Sequence, residues 1–115
     1  MNFLFVLHDA PYGSERVYNG FRWVTQMISK GNEVKVFLFA DAVAAAADGQ
    51  RTPDGYYNIG RMVNSIGRHG GEVGCCGSCL DARGIGDERI TKGAHRSSMT
   101  ELSDWTLWAD KVINV

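Results

Sequence analysis

The sequence contains no long hydrophobic run, no surplus of charge of either sign and little proline. No window approaches the roughly 18 to 20 apolar residues of a membrane-spanning helix. The opening Met1-Asn2-Phe3-Leu4-Phe5-Val6-Leu7-His8 has no basic leader, and its apolar stretch is too short for a signal peptide. A cytoplasmic setting, in which thiols stay reduced, is therefore expected. Formal net charge is −1, so neither a nucleic-acid nor a membrane partner is called for. Two prolines in 115 residues and a 44% hydrophobic share exclude a disordered chain. Cysteine is scarce and odd in number, and two of the three are adjacent, which makes a poor disulfide framework. A chain of this length buries roughly two thirds of its unfolded surface, so one domain over 1–115 needs neither metal nor cross-link to fold.

The three cysteines all fall within five positions, in Gly74-Cys75-Cys76-Gly77-Ser78-Cys79-Leu80-Asp81-Ala82-Arg83-Gly84. Thiols gathered in this way point to chemistry. Around them the chain alternates between strand and helix signals. Phe3 to Leu7 reads as a strand buried on both faces, ending in the turn formers His8 to Gly13. Ser14 is placed to cap a helix from Glu15, and Val17, Phe21, Val24 and Ile28 form its apolar stripe. Lys30 and Gly31 close that helix. Glu33 to Phe39 is a second strand, parallel to the first because a helix connects them. A short helix capped by Asp41 covers Asp41 to Ala47, and Asp48 to Gly55 is a surface loop over a site or a neighbouring subunit. Ile59, Met62, Val63 and Ile66 mark another helix, ending near Gly67.

Glu72 to Cys75 is a third strand, weak by composition. Ile85 to Ala94 carries no clear signal. Ser98 and Glu101 fit a capping box, Leu102, Trp105 and Trp108 continue that helix, and Lys111 to Val115 is a last strand. This alternation predicts an α/β fold: a Rossmann-like, three-layer sandwich with about five mostly parallel strands flanked by helices.

Sites in open α/β sheets form beyond the carboxyl ends of the strands. His8, Asp41 and Cys76 follow the first, second and third strands and are expected to converge there. Gly77 permits a tight turn. A helix starting near Ser78 would aim backbone N–H groups at Cys76 and favour its thiolate. Arg83 adds positive charge nearby, partly cancelled by Asp81. Cys76-Gly77-Ser78-Cys79 is a Cys-x-x-Cys pair, in which one thiol attacks and the other resolves. Cys75 belongs to the strand. Structural zinc takes four ligands, usually from two such pairs, and only one pair is present, so no metal is expected. His69 and His95 read as surface residues. Gly84-Ile85-Gly86 lacks the third glycine of a dinucleotide loop, and no cofactor is expected. Trp105, Trp108, Tyr56 and Tyr57 read as packing or interface residues.

Several stretches resemble the DsrE/DsrF family, which includes TusD-like sulfur-relay proteins, and most of all its YchN-like branch. These are Ala10-Pro11-Tyr12-Gly13-Ser14-Glu15, Asp41-Ala42-Val43, Gly55-Tyr56-Tyr57-Asn58-Ile59, Cys76-x-x-Cys79-x-Asp81-x-Arg83-Gly84-Ile85 and Glu101-Leu102-x-x-Trp105-Thr106-Leu107-x-Ala109-Asp110-Lys111-Val112. The resemblance implies homotrimers or homohexamers and a cysteine that carries sulfur as a persulfide between donor and acceptor proteins. In the TusD-like carriers that cysteine lies eight residues before the glycine of an Arg-Gly pair, and counting back from Gly84 reaches Cys76. Those carriers have a small non-thiol residue where this chain has Cys79. The expected function is sulfur carriage on Cys76, with Cys79 as second thiol and Gly77 and Ser78 as hydrogen-bonding neighbours. A dithiol–disulfide redox protein and a non-catalytic oligomeric binding protein are the alternatives.

Overall fold

Uninterrupted apolar residues build the middle of the sheet. In β1 (Asn2–Leu7) and β2 (Glu33–Leu38) almost every side chain is buried, as strands covered on both faces require. Fully burying a side chain such as Phe5 or Phe37 stabilises the fold by about 1.5–3 kcal/mol. The computed structural model, which describes residues 1–115, adds β3 (Glu72–Cys76), β4 (Ala94–Ser97) and β5 (Lys111–Asn114). All pairings are parallel and the order is β4-β3-β2-β1-β5. The expected α/β architecture is present, with every strand parallel.

The first four strands step outward in chain order, and right-handed crossovers put α1 (Arg16–Ser29) and α2 (Ile59–Arg68) on one face. The chain then returns to the opposite edge, so α4 (Met99–Trp108) crosses the other face. Side-chain contacts agree with this layering. Trp23 of α1 meets Phe5 edge-on at 5.3 Å, whereas Trp105 of α4 meets Phe37 edge-on at 6.4 Å. A Cβ on Gly74 would stand 3.0 Å from the Trp105 ring, so that ring lies directly on the β3 backbone. Lys35 covers the Trp105 and Trp108 rings at 5.2 and 4.5 Å and pairs with Glu72 at 3.0 Å.

Local signals set most boundaries. Asn58 caps α2 by accepting from the Arg61 N–H, and Ser98 caps α4 by accepting from the Glu101 N–H. At the start of α1, Ser14 accepts from the Arg16 N–H at 3.3 Å, and the helix begins one residue later than expected. Ala40–Ala46 is a 3-10 helix preceded by Phe39, with Asp41 inside its first turn and not at its cap. The stretch after Ile85 holds a 3-10 turn at Asp87–Arg89 and then β4. As an edge strand β4 carries His95, Arg96 and Ser97, whose polar groups all find partners.

The loop after Ala47 is pinned to the first turn region. Gln50 donates to the Ala45 and Ala47 carbonyls and accepts from the Tyr12 hydroxyl at 2.6 Å. Tyr57 stacks between Tyr12 and Tyr18, at 5.7 and 4.0 Å. Tyr56 is exposed. No helix is long and apolar enough to cross a membrane.

Gly67 of α2 lies against the chain entering β4: a Cβ there would stand 2.6 Å from the Gly93 Cα, and Gly93 itself holds φ +97°. Gly67→Ala is expected to lower unfolding free energy by about 1–3 kcal/mol, the range for overpacking. Urea denaturation checks this, and an unchanged midpoint would refute it.

Candidate functional site

Parallel register decides which residues meet at the carboxyl edge. Leu7 is paired with Leu38, Leu38 with Cys75, and Cys76 with Ser97. The row one residue beyond Leu7 and Leu38 therefore holds His8, Phe39, Cys76 and Ser97. His8 is exposed and stacks on Phe39 with centroids 5.4 Å apart and rings within 11° of parallel. Strand order reverses between β1 and β5, yet the thiols stand at β3.

Cys76 ends β3 and precedes α3 (Gly77–Ala82), a helix of a turn and a half. Gly77 is required by space, since a Cβ there would meet the Ser97 carbonyl at 3.0 Å and the Arg96 guanidinium at 3.2 Å. Cys76 is 7% exposed and its Sγ shares a hydrogen bond with the Ser78 Oγ at 3.3 Å. Burial pushes its thiol up. Hydrogen bonds from the Cys79 thiol, the Ser78 hydroxyl and the backbone N–H groups of Cys79 and Ser78 outweigh burial and hold it below its ordinary value. In Cys79 burial and donation to Cys76 raise the thiol, while the Ala40 N–H and the Arg83 charge pull the other way. The two thiols are thus pushed in opposite directions, Cys76 down and Cys79 up.

Ala40 was not legible as a site residue. Its N–H donates to Cys79 Sγ at 3.2 Å. To do so Ala40 adopts φ +50°, a left-handed conformation that its Cβ disfavours. The next residue, Asp41, accepts from Arg83 Nε and Nη2 at 2.9 and 2.7 Å, and Arg83 Nη1 donates to the Cys79 carbonyl at 3.0 Å. Arg83 thus ties the strand-2 turn to the second cysteine. Asp81, expected to cancel part of the Arg83 charge, is not the ion-pair partner of Arg83. It pairs with Arg96 at 3.0 Å, and Arg96 also holds Asp87 and the Gly77 carbonyl. Arg96 therefore spans α3 from Gly77 to Asp81, and Arg83 holds it at Cys79. Arg96 had no sequence signal, because it sits on a strand that composition did not reveal.

His95 is half-buried. It pairs with Glu101, rests edge-on against Trp105 at 5.9 Å, and stands apart from the thiols. The Ser97 hydroxyl donates to the same Glu101 oxygen at 2.6 Å. His69 is exposed and bonds the Ser65 carbonyl at 2.7 Å. No three His, Cys, Asp or Glu side chains gather where a metal could be held. The hollow between α1 and α2, about 210 Å³ and lined by Thr25, Ile28, Ser65, Ile66 and His69, contains no thiol.

The model of the DsrE/DsrF-like family matches residues 1–115. The chain belongs to that family. Protein YchN of Escherichia coli is 36% identical over 110 residues, which is 94% of this chain and 93% of that protein. An uncharacterised protein of Methanopyrus kandleri is 36% identical over 108 residues, or 94% of this chain and 88% of the relative. The crystal structure of the YchN protein from Escherichia coli superposes with a TM-score of 0.91 at 34% identity, covering 99% of this chain and 98% of that one. A Methanobacterium thermoautotrophicum protein of unknown function shares the fold, with a TM-score of 0.79 at 13% identity over 99% of this chain and 98% of that one. Within the family fold, the features of this chain that bear on chemistry are the two thiols and the strained amide that faces one of them.

Two outcomes follow for the thiols. Alkylation of Cys76 should reach half its maximal rate at a pH below that of an ordinary thiol, and Ser78→Ala should move that midpoint upward. Iodoacetamide rates across pH, with peptide mapping, check it, and an unmoved midpoint would remove Ser78 from the site. Cys75 is fully buried, and burial pushes its thiol from 9.0 up to about 12. Between those values the unfolded chain has lost a proton that the native state keeps. Stability therefore falls as pH rises, by up to about 1.4 kcal/mol per pH unit. The stability advantage of wild type over Cys75→Ala should shrink from about pH 9 to about pH 11; a constant difference in urea unfolding would contradict this.

Proposed function

We infer that this family member carries sulfane sulfur as a persulfide on Cys76. The observation that carries the reading is the Cys76 sulfur itself, which shares a hydrogen bond with the Ser78 hydroxyl at 3.3 Å at the turn into α3, where its thiol is held below the ordinary value. The Cys76 thiolate attacks the outer sulfur of a donor persulfide. A bond forms from Cys76 Sγ to that sulfur, the donor's S–S bond breaks, and the donor leaves as a thiolate. The same groups then face the new terminal sulfur anion. An acceptor thiolate attacks that outer sulfur in turn and frees Cys76 as thiolate again. No net oxidation occurs and no bound cofactor takes part.

The partners are a persulfide donor and an acceptor thiol, each presented by another protein, in a compartment that keeps thiols reduced. The reading includes a homotrimer or homohexamer. Exposed apolar residues at Leu107 on α4 and Val112 on the edge strand β5 are suited to such contacts.

The test is to mix the fully reduced protein with cysteine persulfide and weigh it intact at the earliest accessible times. Wild type should gain one sulfur mass at Cys76, and Cys76→Ser should gain none. An equal gain on Cys76→Ser, or neither a gain nor hydrosulfide release on wild type, would overturn the proposal.

A further inference from the structure

Cys79 has three features that a mere neighbour of the carrier thiol does not need. It lies three residues beyond Cys76, in the first turn of α3. A strained backbone amide, that of Ala40 at φ +50°, is aimed at its sulfur from 3.2 Å. Its own carbonyl is fixed by Arg83, which is fixed in turn by Asp41. Strained backbone of this kind persists only where the surroundings impose it. A sulfur supplied with a dedicated N–H donor is one that spends part of a reaction as an anion.

We propose, building on the carrier reading, that Cys79 discharges Cys76: when no acceptor thiol is present, it reduces the bound sulfane sulfur to hydrosulfide and leaves a Cys76–Cys79 disulfide. The starting species are Cys79–SH and Cys76–S–S⁻. The Cys79 proton passes to the terminal sulfur. The Cys79 thiolate, held by the Ala40 N–H, attacks Cys76 Sγ. The S–S bond of the persulfide breaks and HS⁻ leaves. One negative charge stands on each side of this step. Two electrons pass from the cysteine pair to the sulfane sulfur. A dithiol reductant of the thioredoxin class then reduces the disulfide, becomes a disulfide itself, and returns both thiols.

Loading is what arms the second cysteine. In the resting state burial and the neighbouring Cys76 push the Cys79 thiol up. Persulfide formation moves the negative charge of Cys76 one sulfur further out. The Ala40 N–H and Arg83, which favour the Cys79 anion, then meet less opposition. The protein thus chooses between two fates for its sulfur: transfer when an acceptor arrives first, release as sulfide when none does.

The experiment loads reduced wild type, Cys79→Ser and Cys79→Ala with cysteine persulfide, removes excess donor by desalting, and adds no acceptor. Intact mass, peptide mapping and hydrosulfide are followed together. Wild type should lose its added sulfur and end two hydrogen masses lighter than the reduced protein, with the disulfide mapped to Cys76 and Cys79. Hydrosulfide should appear mole for mole with that disulfide. Both variants should hold their sulfur longer, on the order of a hundredfold, since they lack the intramolecular attack. Wild type that gains sulfur and keeps it as long as the variants, or that releases hydrosulfide without the disulfide, overturns this inference and leaves the carrier reading intact. Wild type that neither gains sulfur nor releases hydrosulfide overturns both.

Discussion

Parallel register between β1, β2, β3 and β4 is the constraint on which the carboxyl edge depends. It aligns His8, Phe39, Cys76 and Ser97 in one row, although they come from four separate segments of the chain. Shifting one strand by a single residue would send its alternate side chains to the opposite face of the sheet. A slip in β3 of one residue would put Cys75 at the register position that Cys76 holds beside Ser97, or Cys76 at the one that Cys75 holds beside Leu38. The apolar runs Phe3 to Leu7 of β1 and Val36 to Leu38 of β2 do not by themselves forbid that slip. Gly74 does, because only a residue without Cβ leaves room for the Trp105 ring on that face.

Once the row is set, charge and hydrogen bonding divide the thiols. Cys75 is enclosed by apolar neighbours and stays protonated. Cys76, one residue on, meets the hydroxyl and N–H groups of the turn into α3. Neither Arg83 nor Arg96 hydrogen-bonds the Cys76 sulfur; each anchors backbone and carboxylates on either side of it. The activation of Cys76 is thus a matter of local dipoles held in place by distant charges, a form of preorganisation that surface salt screens only weakly.

Much of this was visible in the residues. The βαβ opening, the helix marked by Ile59 to Ile66, the Ser98 cap, and the placement of Cys76 at a strand end follow from apolar periodicity, capping chemistry and glycine. Two kinds of feature were hidden. Edge strand β4 is four residues long and polar, because its side chains are claimed by Glu101, Asp81 and Asp87 and not by the core, so no alternation signals it. Ala40 was hidden because a left-handed residue normally announces itself as glycine or asparagine. Here an alanine takes that conformation where β2 turns into a 3-10 helix. The roles of Asp41 and Arg83 were foreseen only as neighbours of the site; their direct pairing joins positions 42 residues apart, a separation that no local pattern encodes.

The last strand has a kinetic meaning. β1 through β4 pair with strands next to them in the chain, whereas β5 returns to β1, bringing Lys111 beside Phe3. Closing so long a loop is slow compared with the nearer pairings. During synthesis, N-terminal segments emerge first, so strands β1 to β4 and the cysteine turn are available for assembly while one edge of β1 still stands open. That open edge is the chain's exposure to aggregation while it is being made, and docking of the final four residues of strand ends it.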